Sequence, residues 1–382
     1  MDTAAIIVVA VVILLRLFLP LTIPYWPLIG VISCLVLDAA DQSIFQQFPD
    51  IPLDNYQSYD KALDIYYLAI AYLATLRNWT NLPSFRVSRF LYYYRLVGVV
   101  AFELSGLRAL LLVFRNTFEY FFIFCEGVRA RWNTARITMA VALVAAALIW
   151  IFIKLPQEWW IHIAKLDMTD FIKESLFGAS KTDSWGTVIA TAPLVLVALL
   201  AALAVFLVVC WLLVTRVAPP ADHRLRFKAD PLPTELRGDA LYRTVRAEAR
   251  LFDRALIEKI VLTGLTSIVF AQMLLGDGLL SVRFIFVALF VLVNAMVSQW
   301  LARRGRSWKS VASELVGMMI VNFGIVMALL IVGDRILRVV DTGLPLSMTI
   351  FTVFLFTVIT VLFDRYHTVF QARGMVAQLR AK

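Results

Sequence analysis

Thr187–Thr215 reads TVIATAPLVLVALLAALAVFLVVCWLLVT and carries no charged residue. About 20 apolar residues let a helix cross the hydrocarbon core of a bilayer. The stretch is too long and too uniform to be a buried strand or a core helix of a soluble domain. Working outward, comparable runs lie at about 137–153, 260–276, 279–300, 311–333 and 346–364. Toward the N-terminus, AAIIVVAVVILLRLFL opens the chain with Arg16 inside it. Pro20, Pro24 and Pro27 then break it before a run from Leu28 to Leu37.

The whole composition agrees. Hydrophobic residues make up 61% of the 382 positions and charged residues 16%, and the mean hydropathy is +0.81. A soluble globule cannot hide that much apolar surface. A porin-type barrel would alternate apolar and polar residues, and these runs do not. The expected fold class is all-α, a polytopic integral membrane protein of about ten transmembrane helices, with eleven as the alternative. Two regions are expected. Residues 1–126 form an N-terminal helical domain, and residues 127–382 a C-terminal one with an insert at about 216–259.

The net charge is +9. The basic residues sit between apolar runs, which points to membrane topology and anionic headgroups, not to nucleic acid. The basic connections at 127–136, 216–259 and 301–309, and the tail from Arg365, are expected in the cytoplasm. Ten spans then put both termini inside, in a cytoplasmic membrane of bacterial type, if 114–126 does not cross. That parity leaves Arg77, Arg86 and Arg89 outside. Eleven spans move the acidic residues described next to the other face. An amphipathic helix is expected over about 234–257, and a tight turn at Gly276–Gly278. Cys34, Cys125 and Cys210 have no metal-ligand spacing, and His162, His223 and His367 lie far apart. Membrane lipids are the expected partners. The C-terminal spans offer surface for a second copy of the chain or another membrane protein.

Asp38 and Asp41 are three apart at one helix end, and Asp60 and Asp64 four apart at the start of the next. Each pair shares a helix face. Two antiparallel helices would bring four carboxylates together, and hard oxygen ligands at such density suit Mg²⁺, Mn²⁺ or Ca²⁺. Here the chain resembles the integral-membrane CDP-alcohol phosphotransferases. Their motif, D-x2-D-G-x2-A-R-x8-G-x3-D-x3-D, spans the end of the second helix and the start of the third. Asp38-Ala-Ala-Asp41 matches its first pair, and Asp60-Lys-Ala-Leu-Asp64 its second with one residue inserted. LLRLFLP, with Arg16 and Pro20, is similar to the family's first helix. The resemblance covers about residues 10–75. It implies that Asp38, Asp41, Asp60 and Asp64 bind Mg²⁺ or Mn²⁺ and that Asp64 deprotonates an acceptor alcohol. Gln42, Phe45 and Gln46 stand where the motif has Gly, Ala and Arg, so the resemblance extends further for metal than for nucleotide.

A second set of candidates lies in the next apolar stretch. Arg95, Glu103 and Arg108, with Asn116 and Glu119 following, are costly in a bilayer and are expected to bind substrate or pair with one another. Glu103 is expected to meet Arg95 or Arg108. Three functions remain open on sequence: a metal-dependent phosphotransferase-like enzyme acting on a lipid or CDP-alcohol-type substrate, a lipid or ion transporter using the Arg95–Glu119 region, and a non-catalytic membrane scaffold.

Overall fold

The computed structural model describes residues 3–45, 56–164, 168–232, 245, 252–275, 280–304, 310–335 and 346–381. Among them the chain is helical throughout, without strands. The N-terminal part holds α1 (Thr3–Phe18), α2 (Pro27–Phe45), α3 (Tyr56–Asn78), α4 (Leu82–Ser105), the short α5 (Ala109–Val113) and α6 (Thr117–Arg131). Next come α7 (Met139–Leu148), α8 (Leu155–His162), the short α9 (Met168–Phe171), α10 (Trp185–Thr191) and α11 (Pro193–Val217). The chain ends with α12 (Arg254–Leu275), α13 (Leu280–Arg303), α14 (Val311–Arg335) and α15 (Leu346–Ala381).

This is a helical membrane protein. Six helices are long and apolar enough to cross a bilayer among the described residues: those containing 5–22, 139–161, 193–217, 284–303, 311–332 and 349–374. That is fewer than the expected ten. The reason lies in α2, α3, α4, α6 and α12, which carry charged and tyrosine side chains that other helices hold inside the bundle. α3 shows this most fully. From Ala62 to Leu76 nearly every residue is buried, because α1, α2, α4, α12 and α15 all pack around it. α11 is the opposite case, with none of its residues buried, so the described residues leave its apolar circumference uncovered. The expected amphipathic helix falls mostly outside the described residues, as do Asp277 and its glycines.

Side-chain bonds fix which connections share an end of the bundle. Arg77 Nη1 and Asn78 Nδ2 donate to Pro24 O at 2.7 and 3.1 Å. Asn81 Nδ2 donates to Thr134 O and Ile137 O at 2.8 and 3.1 Å. The segment 218–232 lies over the same end, with Ala229 N bonded to Tyr25 O and Arg226 N to Ala130 O. Arg77, Arg129, Arg131 and Arg136 therefore cluster at one basic end. This corrects the expectation that the Arg77 connection faces away from 127–136. α4 and α6 run antiparallel, so α6 returns the chain to the end where α4 began. Its two glutamates, Glu119 and Glu126, are buried in the bundle.

One glycine is required by this packing. A Cβ on Gly98 of α4 would lie 1.9 Å from the Phe114 side chain, so only glycine lets the 106–116 connection fold back onto α4.

Candidate functional site: a carboxylate cluster around Arg16

Arg16 is near the C-terminal end of α1. Tyr66 of α3 donates its hydroxyl to Leu17 O at 2.9 Å, which anchors α1 to α3 beside it. The Arg16 guanidinium bridges three helices. Nη1 bonds Asp41 of α2, and Nη2 bonds both Asp38 of α2 and Asp64 of α3, the latter at 2.9 Å. The cluster lies about 20 Å along α3 from the basic end.

The structure thus brings together Asp38, Asp41 and Asp64. Asp60 lies in α3, but its side chain is outside the described residues. Asp41 is fully buried, whereas the side chains of Asp38 and Asp64 are 26% and 29% exposed. Among the described side chains three carboxylates meet one guanidinium, and crowding of like charges where burial is high is expensive. The donor chemistry suits a hard divalent cation. The focus of the carboxylates, however, is Arg16. Among the described residues no group of three or more His, Cys, Asp or Glu side chains is arranged about a metal position.

The second candidate set divides. Asn116 and Glu119 meet at the start of α6. Asn116 Nδ2 donates to Glu119 Oε2 at 3.1 Å, Tyr67 of α3 donates its hydroxyl to Glu119 Oε1, and Lys154 Nζ lies 3.5 Å from Glu119 Oε2. Lys154 also sits over the Tyr120 ring at 4.2 Å, and Glu158 Oε1 is 3.5 Å from Asn116 N. Arg95 donates Nη1 to Phe114 O at 3.1 Å, and its buried Nε has no partner. Arg108 is exposed at the turn after α4, and Glu103 is half-buried near the end of α4. α4 stops at Ser105, and left-handed Gly106 (φ 68°) turns Arg108 away from the bundle.

Sequence reasoning missed Arg16, Tyr67 and Lys154 as members of these clusters. Lys154 ends the run IWIFIK just before Leu155 and Pro156. It reads as the first residue of a loop. In the structure Pro156 has no N–H to give the carbonyl of Phe152, and the chain widens into a π-helix over Ile149–Lys154. The helix continues, and Lys154 is carried inward. Tyr67 lies one turn after Asp64 on α3, and that i, i+3 spacing was the available signal.

Compared with known families, characterised proteins and solved structures, the chain matches none.

Proposed function

We propose that this is a membrane-embedded, divalent-metal-dependent phosphotransferase-like protein acting on a lipid or CDP-alcohol-type substrate. The observation that carries the reading is the meeting of aspartates from α2 and α3 at one point beside Arg16, two of them partly exposed. Asp38, Asp41 and Asp64, with Asp60 implied by the motif, would hold Mg²⁺ or Mn²⁺. When bound, the ion would stabilise charge on a phosphate oxygen. Asp64 would accept the proton of an acceptor alcohol at a carboxylate oxygen. Arg16 holds the aspartates in register from the third side.

We further propose eleven crossings, with the basic end in the cytoplasm, the N-terminus outside and the C-terminal tail inside. Support comes from the basic connections at 77–81, 127–136 and 218–232, which gather at one end. The acidic cluster then opens toward the non-cytoplasmic half of the bilayer. That orientation favours a lipid-borne substrate entering from the membrane over a soluble nucleotide.

The test is direct. Purified protein with Mg²⁺ is offered CDP-diacylglycerol and CDP-alcohols, and CMP release is followed beside Mn²⁺ binding by electron paramagnetic resonance. Metal binding with CMP release, both lost in Asp64→Asn, is the expected result. Metal binding without CMP release removes the CDP-dependent chemistry, and absence of both removes the enzyme reading.

A second reading, a proton or ion path, is favoured by one specific observation. Tyr67 touches Glu119 and lies one helical turn from Asp64, so it joins the two buried clusters. Proteoliposomes with an entrapped pH dye would show proton flux that Tyr67→Phe reduces. Equal flux in protein-free vesicles would end this reading.

A further inference from the structure

A cleft opens at the basic end, away from the carboxylate cluster. Trp79, Asn81, Ser84, Arg129, Thr134 and Asp230 line it. Its composition follows from local structure. Asn81 caps α4 by accepting from Ser84 N at 2.8 Å, which turns the N-terminal turn of a 24-residue helix toward the cleft. Such a terminus favours negative charge.

The side chains there are incompletely used. Arg129 Nε donates to Glu126 Oε2 at 2.5 Å and Nη1 to Lys228 O at 3.1 Å. Its Nη2 is buried and has no partner, although the residue is only 7% exposed. Ser84, 2% exposed, lies beside the Cys125 thiol, and its buried hydroxyl is without a geometric hydrogen-bond partner. Buried donors left idle cost free energy and normally have a partner. Two such donors on facing helices, α4 and α6, point to a missing acceptor.

The surroundings decide its charge. Glu126 offsets Arg129, and Asp230 is half-exposed, 3.8 Å from Arg129 Nη1 and 3.2 Å from Arg226 Nη2. Against these two carboxylates stand Arg129 and Arg226, with Arg373 close enough to feel the charges of Asp230 and Arg77. The local balance is positive, and Asp230 reaches in from the 218–232 segment as an internal anion. The cleft leaves about 30 Å³ for the centres of water-sized groups. That volume is of the order a small tetrahedral anion needs.

We propose that this cleft is a phosphate-binding site, with Arg129 Nη2 and the Ser84 hydroxyl as donors, the dipole of α4 adding positive potential, and Asp230 as a competing internal anion. The phosphate belongs to either an anionic lipid headgroup or a free ion, because the chemistry of recognition is shared. The site stands apart from the carboxylate cluster and does not depend on its function.

The experiment uses the full-length protein and two probes. Inorganic phosphate is titrated against thermal unfolding in detergent. In parallel, retention of phosphatidylglycerol against phosphatidylcholine is measured by native mass spectrometry. Ser84→Ala removes one idle hydroxyl and should leave the fold intact, yet weaken binding on the order of tenfold. Asp230→Asn should tighten it. Arg129→Lys keeps the charge beside Glu126 but loses the fork, and should weaken binding. A phosphate-dependent rise in midpoint with these variant effects supports the site with a soluble ion. Selective retention of phosphatidylglycerol with the same effects, and no response to inorganic phosphate, supports it with a headgroup. Binding that Ser84→Ala and Asp230→Asn leave unchanged, or no binding of either probe, overturns the proposal.

Discussion

The polar interior of the C-terminal four helices is balanced, whereas that around α1–α3 is not. In the C-terminal unit Lys259 Nζ donates to Asn294 Oδ1 at 2.7 Å and pairs with Asp364 at 2.8 Å. Asn294 Nδ2 donates to Asn322 Oδ1 at 2.7 Å, Asn322 Nδ2 to Thr357 Oγ1 at 2.9 Å, and Thr357 closes on Val353 O at 2.7 Å. One directed chain ties α12, α13, α14 and α15 together, with one positive and one negative charge. Around Arg16 three carboxylates share one cation, and two of them keep an exposed edge. A satisfied buried network specifies packing. An unbalanced one with access to the outside is where ligand chemistry has something to work on. The same reasoning separates neighbours on α12. Glu258 faces Tyr72, Arg89 and Tyr93 of α3 and α4, while Lys259 faces the C-terminal helices, so two adjacent residues lock the two units together.

Breaking the balanced chain should have the largest effect. Lys259→Met takes its buried cation away from Asp364, and breaking a buried pair from one side costs about 3–5 kcal/mol. The thermal midpoint in detergent should fall steeply, and Lys259→Met with Asp364→Leu should recover much of the loss. An unchanged midpoint in the single variant would mean that the chain does not hold the four helices.

Arg16→Gln comes next. It leaves three carboxylates facing each other, two of which reach solvent, so the expected loss is smaller, about 2–4 kcal/mol. Here the contrast between the regions becomes sharp. Mn²⁺ should restore the midpoint of Arg16→Gln, since the cluster would then be free of its own cation. Mn²⁺ should do nothing for Lys259→Met. Equal behaviour of the two variants would erase the distinction drawn above.

The membrane class was legible because apolar length alone decides it, as in Thr187–Thr215. The pairing of Asp38 with Asp41 was legible because helical spacing is local. Arg16 was not, because its partners lie 22, 25 and 48 positions away, and only packing of three helices brings them together. Among the described residues six helices rather than ten meet a hydropathy criterion for a related reason. A helix such as α3 owes its place to neighbours that cover its polar groups, and hydropathy averaged along one segment cannot register a partner in another.

Tyr67→Phe should have a lesser effect. It deletes one bond to Glu119 and leaves those from Asn116 and Lys154, so a loss of about 1 kcal/mol is expected. Its value lies in the comparison. If the acidic cluster and the Glu119–Lys154 pair act as one system, Tyr67→Phe should also alter Mn²⁺ affinity at the aspartates. If affinity stays the same, the two clusters are independent and the path reading loses its bridge.

The smallest effect belongs to the basic end, where a charge pair is exposed instead of buried. Asp222 accepts from Arg136 Nε and Nη2 at 2.8 and 2.7 Å and from Asn133 N at 2.8 Å. The Arg136 bonds, then the Asn133 N–H, hold its carboxyl well below the usual carboxylate range. A depressed carboxylate contributes stability that is fully present above its unfolded pKa of about 4 and is lost as pH falls through the lower folded value. Attachment of the 218–232 segment should therefore be flat from neutral pH down to about pH 5 and weaken only in stronger acid. Hydrogen exchange of this segment measures it, because global unfolding will hardly register a pair so open to solvent. Asp222→Asn should raise exchange at neutral pH and abolish the acid dependence. If wild type loosens near pH 6 instead, a group other than Asp222 controls the segment, and the exposed pair is incidental to how this end of the molecule is closed.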